Sequence, residues 1–369
     1  MTTHQNMQEW KPRKKKKRQF RQTFARMLQR LAPERNGKAD FSGPLCSVAI
    51  LAQEKLGDCV LLTPLIRILR KNRPDLNIYI IAFSRISAGF FETDPDVTAV
   101  YHAKRKPGKY RREVLSMTFD VLFNTKDHPS THFLLQSSLI RARYKVGHAN
   151  EFHEGLFDRL LTMDFSAHMA LKNCALLDLI GIRYSEEDCR PSLAPLPLPP
   201  ELTGFLRQLD NKKLTGINIS AGEPNRVWAE TKWNGLISRF PERHFIVLSG
   251  PDEHAVKHMI EQSCQNIIAS PRTGNLYEVL RIVEKLDMLI TPDTSLIHIA
   301  SATKTPVVGL YREAPQDVSR FGPFRIPFEL VISGTGEVSD IEIDTVIGAI
   351  EKLAAYSLGN NPEIGYIAN

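Results

Sequence analysis

The stretch spanning residues 286–310, LDMLITPDTSLIHIASATKTPVVGL, constrains the fold more than any other. Residues 286–291 are a short apolar run of strand length, and 307–310 are a second. Between them Asp293, Thr294 and Ser295 precede an Ala-rich apolar segment, 296–302, that reads as a short helix. Strand, turn, helix N-terminus and strand make the half-unit of a parallel α/β sheet. Such a helix start also aims unpaired backbone N–H groups at one point, a ready site for a phosphate. His298 falls within the first turn and a half. This segment is expected to hold a diphosphate.

The same punctuation recurs upstream. Residues 47–52 (SVAILA) read as a buried strand, followed by a turn at 53–58 and a helix over 59–70 with Val60, Leu61, Leu65, Ile68 and Leu69 inward. Gly57 is expected to make the tight turn. Asp58 then stands at the helix start, at the carboxyl end of the first strand, the edge where open α/β sheets bind ligands. Capping the helix is an equally adequate use for it. Further strands are expected at 77–83, 97–101 and 119–124, then at 215–219 and 244–248. No GxGxxG follows any of them, so a nicotinamide cofactor has no support.

A proline-rich run at 191–200 (PSLAPLPLPP) divides the chain. At 369 residues two domains are expected. The divisions are a basic arm at 1–43, an N-terminal Rossmann-like domain at 44–190, the linker at 191–200, a C-terminal Rossmann-like domain at 201–340, and a terminal helix and tail at 341–369.

Charge is informative by place. Residues 1–40 hold twelve Lys/Arg against three Asp/Glu, so the chain's net +7 comes wholly from the arm. The block KPRKKKKR at 11–18 does not fold alone. Residues 19–31 place Phe20, Phe24, Met27, Leu28 and Leu31 at helical spacing, with Arg18, Arg21, Arg26 and Arg30 on the other side. A basic amphipathic helix suits an anionic membrane surface, through residues 11–31, or packs on the body. The body has no basic excess, so nucleic acid is not an expected partner. No run approaches the roughly 20 apolar residues of a membrane span, and no secretory signal is visible. Five scattered cysteines without a CxxC pair fit reduced thiols in the cytoplasm. Asp127, His128 and His132 read as a loop rather than a metal site, because Pro129 interrupts the helical spacing. Asp94-Pro95-Asp96 reads as a turn.

The set Lys55-Leu56-Gly57-Asp58, Thr63-Pro64, Ser220-Ala221-Gly222, Arg226-Val227-Trp228, Gly250-Pro251-Asp252-Glu253 and Asp293-Thr294-Ser295-Leu296-Ile297-His298 resembles, in this order, glycosyltransferase family nine, the ADP-heptose:lipopolysaccharide heptosyltransferases. The resemblance covers roughly residues 46–356. It implies a GT-B fold, two Rossmann-like domains with parallel sheets facing a central cleft, and inverting, metal-independent sugar transfer. It assigns Asp58 as general base and places the donor, ADP-heptose, on Ser220, Ala221, Arg226, Lys232, Glu253, Asp293, Thr294, Ser295, Leu296 and His298. Lys55, Lys104, Arg105 and Lys126 are candidates for the acceptor, a lipopolysaccharide core or other lipid-linked sugar. No metal or cofactor is implied, and the expected location is the cytoplasmic face of the inner membrane. Three positions depart from the family pattern: Ser295 stands for Gly, Tyr311-Arg312-Glu313 for Gly-Pro-Thr, and Arg226 for Lys, which keeps charge but changes geometry. A GT-B nucleotide-sugar epimerase and a catalytically silent sugar-binding protein at the membrane are the alternatives.

Overall fold

The computed structural model describes residues 3–31, 34–35, 37, 39–103, 107–210, 212–312 and 315–358. The chain divides into two compact units, Met1–Ala167 with Leu171–Ser185, and His168–Ala170 with Glu186–Asn369. No helix among the described residues is long and apolar enough to cross a membrane.

The first unit is built on six parallel strands: β1 Ser47–Ala52, β2 Asn77–Ala82, β3 Ala99–His102, β4 Thr118–Asn124, β5 Arg141–His148 and β6 Arg159–Leu161. Their order is β3-β2-β1-β4-β5-β6, and every pairing is parallel. Helices on both faces bury the central strands, which explains the unbroken apolar run Val48–Ala52, fully enclosed. Strand order reverses between β1 and β4, so the loops after these two strands diverge and leave a crevice at the carboxyl edge.

The helix after β1 is Leu56–Asn72, with Pro64 inside it. Proline has no N–H for the Val60 carbonyl one turn back. The Thr63 hydroxyl donates to that oxygen instead, at 2.7 Å. The helix therefore continues through a residue that usually ends one.

The basic arm contains a helix, Thr3–Leu31. It docks on the first unit through Ala25 and Leu28, which are buried against Leu134, Phe152, Leu156 and Phe157. Arg18 pairs with Glu151 and Gln29 donates to the Glu154 carbonyl. The apolar stripe at helical spacing is thus split. Phe20, Met27 and Leu31 point outward, at 64%, 45% and 76% exposure. The physical reason is size, because Ala25 lets the helix approach closely on a face narrower than the stripe.

The second unit carries five parallel strands: β7 Leu214–Asn218, β8 His244–Leu248, β9 Met288–Pro292, β10 Val307–Tyr311 and β11 Phe328–Ile332, in the order β11-β10-β9-β7-β8. This is the other common doubly wound order, and its reversal falls between β7 and β9. Trp228 and Trp233 meet edge to face at 4.6 Å within its core. The helix Ile343–Leu358 completes that core with Val346, Ile350 and Leu353.

Candidate active site

At the reversal point of the first sheet, β1 ends in Ala52 and the chain runs through Gln53, Glu54 and Lys55 into the Leu56–Asn72 helix. Lys55 is the N-cap residue, extended and without a side-chain cap bond. Asp58 is three residues on, where its carboxylate accepts the Lys55 amide. That is one arm of a capping box and places an anion at the positive end of the helix. Gly57 is not the turn residue expected from spacing; it lies inside the first helical turn, and its backbone is not left-handed.

Burial nevertheless dominates Asp58. Removal from water raises its pKa above the usual carboxylate range, against the opposing pull of Lys126 and the Lys55 amide. Lys126 follows β4, on the other side of the reversal point. Its Nζ donates to Gln53 Oε1 at 2.9 Å, sits 3.7 Å from Glu54 and lies over the Phe133 ring. Gln53 is buried and donates in turn to the Thr125 carbonyl, tying the ends of β1 and β4 together. A carboxylate readily protonated, with a cation held nearby, has the character of a general base.

The next residue, Asp127, is enclosed against Lys172 at 2.8 Å, and Lys172 also donates to the Phe165 carbonyl. Both side chains are almost fully buried. His148 and His153 behind them are pushed down to about 4 by burial and stay neutral. His132 meets the Phe83 ring edge-on. Asp94 and Asp96 both bind Arg67. Among the described residues no three His, Cys, Asp or Glu side chains are grouped to hold a metal. Lys55 is exposed at the helix start. Lys104 and Arg105 lie outside the described residues.

In the second unit the loops after β7 and β9 flank the reversal point. Asn218, the last residue of β7, is buried and directs Nδ2 at the Thr291 hydroxyl (2.9 Å), the Thr294 hydroxyl (3.1 Å) and the Ser220 carbonyl (3.2 Å). Its Oδ1 accepts the Ser220 amide. Ser220 Oγ accepts the Gly250 amide and donates to Glu253 Oε2 at 3.1 Å. A Cβ at Gly250 would lie 2.9 Å from that Glu253 oxygen, so a side chain here would displace the carboxylate. Ala221 is partly exposed beside Ser220.

The Leu296–Thr303 helix starts beyond β9. Thr294 Oγ1 accepts the Leu296 amide at 3.3 Å, while the Thr294 and Ser295 amides meet no acceptor among the described residues. Ser295 has φ −58°, an ordinary helical value, so the site does not need the family's glycine. Arg226 Nη1 reaches the Asp293 carbonyl at 2.8 Å and its carboxylate at 3.0 Å. Thus Ser220, Glu253, Arg226, Asp293, Thr294, Ser295 and Leu296 are brought to one edge of the second sheet.

Two candidates stand apart. Lys232 donates to the Ile341 carbonyl at 2.8 Å, beside the Trp228 indole that uses the same acceptor. It clasps the chain leading into the last helix. His298 is 5% exposed, and its Nδ1 has no partner among the described residues. Burial, with His168 nearby, pushes it down to about 3, so it is a neutral imidazole. Sequence reasoning missed Asn218 and Gln53. Each is a polar residue at the end of an apolar strand, a place where an amide costs burial energy unless it binds something.

Comparison with known proteins places the chain in a family. The family model for glycosyltransferase family 9 (heptosyltransferase) matches residues 108–342. Lipopolysaccharide heptosyltransferase 3 of Escherichia coli is 22% identical over 281 residues, covering 69% of this chain and 80% of that one. A family 9 glycosyl transferase from Veillonella parvula superposes with a TM-score of 0.67 at 18% identity, over 86% of this chain and 100% of the other. The E. coli heptosyltransferase WaaC with ADP gives 0.61 at 15% identity, over 84% and 98%. The two parallel α/β units are those of the GT-B heptosyltransferases, and the chain belongs to glycosyltransferase family 9, the heptosyltransferases.

Proposed function

We propose that this glycosyltransferase moves a heptose from ADP-heptose to a lipopolysaccharide core acceptor, with inversion and without a metal. The observation that carries the reading is Asp58: a carboxylate at the reversal point of its sheet, its pKa raised by burial, with Lys126 beside it. Asp58 takes the proton of the acceptor hydroxyl while that oxygen forms its bond to the sugar's anomeric carbon. The bond from that carbon to the diphosphate oxygen breaks, and ADP leaves with the electron pair. A single displacement inverts the centre. Charge growing on the diphosphate is met by Arg226 and the amides of Thr294 and Ser295, preorganised donors in place of a metal. Ser220 and Glu253 suit the ribose and phosphate ends of the nucleotide. Lys55 and Lys126 suit an anionic acceptor.

Asp58→Asn is expected to lower transfer by about 10³-fold, within the range for loss of a general base, while calorimetry shows ADP binding retained. Transfer by the parent protein is expected to persist in EDTA. A fully active Asp58→Asn variant would remove Asp58 as base.

The enzyme is further read as working at the cytoplasmic membrane face. The outward side of the Thr3–Leu31 helix joins Phe20, Met27 and Leu31 to Lys16, Arg26 and Arg30, all exposed. Apolar and basic residues on one exposed face favour an anionic surface. Phe20→Ser with Met27→Ser is expected to reduce co-sedimentation with anionic liposomes; unchanged binding refutes this part.

A further inference from the structure

Of the two cations expected at the donor phosphates, Lys232 is engaged at the Ile341 carbonyl and Arg226 is at the sheet edge. Beside Arg226 lies another cation. Arg226 Nε is 4.0 Å from Glu223 Oε2, and Arg312 Nη1 is 3.8 Å from the same oxygen. With Asp293 on the far side of Arg226 at 3.0 Å, the four side chains alternate in charge: Asp293, Arg226, Glu223, Arg312. They come from the turn after β7, the end of β9 and the end of β10, all at the carboxyl edge of the second sheet.

This row is incompletely bonded. Arg226 Nε is buried and has no hydrogen-bond partner among the described residues. Arg226 Nη2 likewise donates to none of them. The Glu223 contacts are ion pairs at the outer limit of the distance range, without a hydrogen bond between them. Glu223 and Arg312 remain reachable from solvent, at 42% and 37% side-chain exposure. A fork-shaped guanidinium with free donors matches phosphate oxygens better than a distant carboxylate.

We propose that Arg312 is a second phosphate-binding cation of the donor site, and that Glu223 stands in for the diphosphate while the site is empty. This rests on the reading of the second unit as the donor half. A nucleoside diphosphate brings charge over two phosphorus centres. Arg226 serves one and Arg312 the other, and Glu223 withdraws as they turn. Without ligand the row is neutral, so the arginines do not repel each other or trap stray anions. Arg312, within the 311–313 stretch that stands for Gly-Pro-Thr, is therefore functional in this chain and partners the change of Lys to Arg at position 226.

The proposal predicts opposite signs for two substitutions, read by calorimetry with ADP as probe. Arg312→Ala is expected to weaken ADP binding on the order of tenfold, the scale of a charge-assisted contact. Glu223→Gln, which frees both arginines, is expected to tighten it. If the pair only pins the two turns, both changes weaken binding together, and the proposal fails. It fails also if Arg312→Ala binds ADP like the parent. Arg226→Ala separates the levels. If the parent binds ADP and Arg226→Ala loses it while Arg312→Ala does not, only the role of Arg312 falls. If the parent binds no ADP, the donor-site reading falls and takes this inference with it. Melting curves for each variant confirm that the fold persists.

Discussion

At the edge of the first sheet the polar groups are few, charged and desolvated. Asp58 is raised by burial, Lys126 is held by Gln53, and Asp127 and Lys172 neutralise each other out of water. At the edge of the second sheet the same position in the fold carries a web of short side chains instead. Asn218, Thr291, Thr294, Ser220 and Glu253 satisfy one another through hydrogen bonds. The contrast fits the roles proposed for the two edges. A base needs a proton affinity unlike that of water, which burial supplies. A diphosphate pocket needs donors already aimed, which a hydrogen-bonded web supplies at lower desolvation cost.

If that contrast is sound, breaking the buried pair should be the most damaging change. Lys172→Met removes the buried ammonium from Asp127 and is expected to cost about 3–5 kcal/mol of stability, measured by urea unfolding. A loss no greater than that of a surface substitution would mean that water reaches this edge. Next comes Asn218→Leu. Its partners at Thr291, Thr294 and Ser220 lose an amide, for about 1–3 kcal/mol, and ADP affinity is expected to fall as the loops after β7 and β9 separate. Affinity unchanged in that variant would show the web to be structural only.

The subtlest change sharpens the first edge. Lys126 lowers the pKa of Asp58 while burial raises it. Lys126→Met removes the lowering influence, so Asp58 is expected to hold its proton to higher pH. The base works only when ionised, so the acid limb of kcat/KM should move toward higher pH, with activity recovered on the alkaline side. A limb that stays in place or moves down would disconnect Lys126 from the base.

Much of this was legible in the residues because central parallel strands are buried on both faces. SVAILA and NIYIIA become uninterrupted apolar runs of strand length, β1 and β2. Arg141–His148 hid because its alternation of Arg141, Arg143 and Lys145 with Ala142, Tyr144 and Val146 resembles an exposed strand. Lys145 is in fact buried, with its ammonium on the Ser137 carbonyl, and burial lowers it to about 8. Asp58 was legible as a position, since a strand followed by a turn and helix defines it. Its elevated proton affinity was not, because the burial that raises it, and the Lys126 that opposes it, come from parts of the chain distant in sequence. The docking face of the N-terminal helix was unreadable for a related reason. Periodicity gives the stripe, but only the partner surface selects Leu28 within it and Ala25 beside it.

The amide of Asn218 has two hydrogens and three acceptors, one just after β7 and two at the end of β9 and the turn beyond it. Its neighbours are therefore not independent letters. A change at Thr291 alters what Asn218 can offer Thr294, so paired substitutions here will depart from the sum of the single ones. Anyone redirecting this enzyme to another donor, and any lineage drifting at these positions, has to move through them as a set.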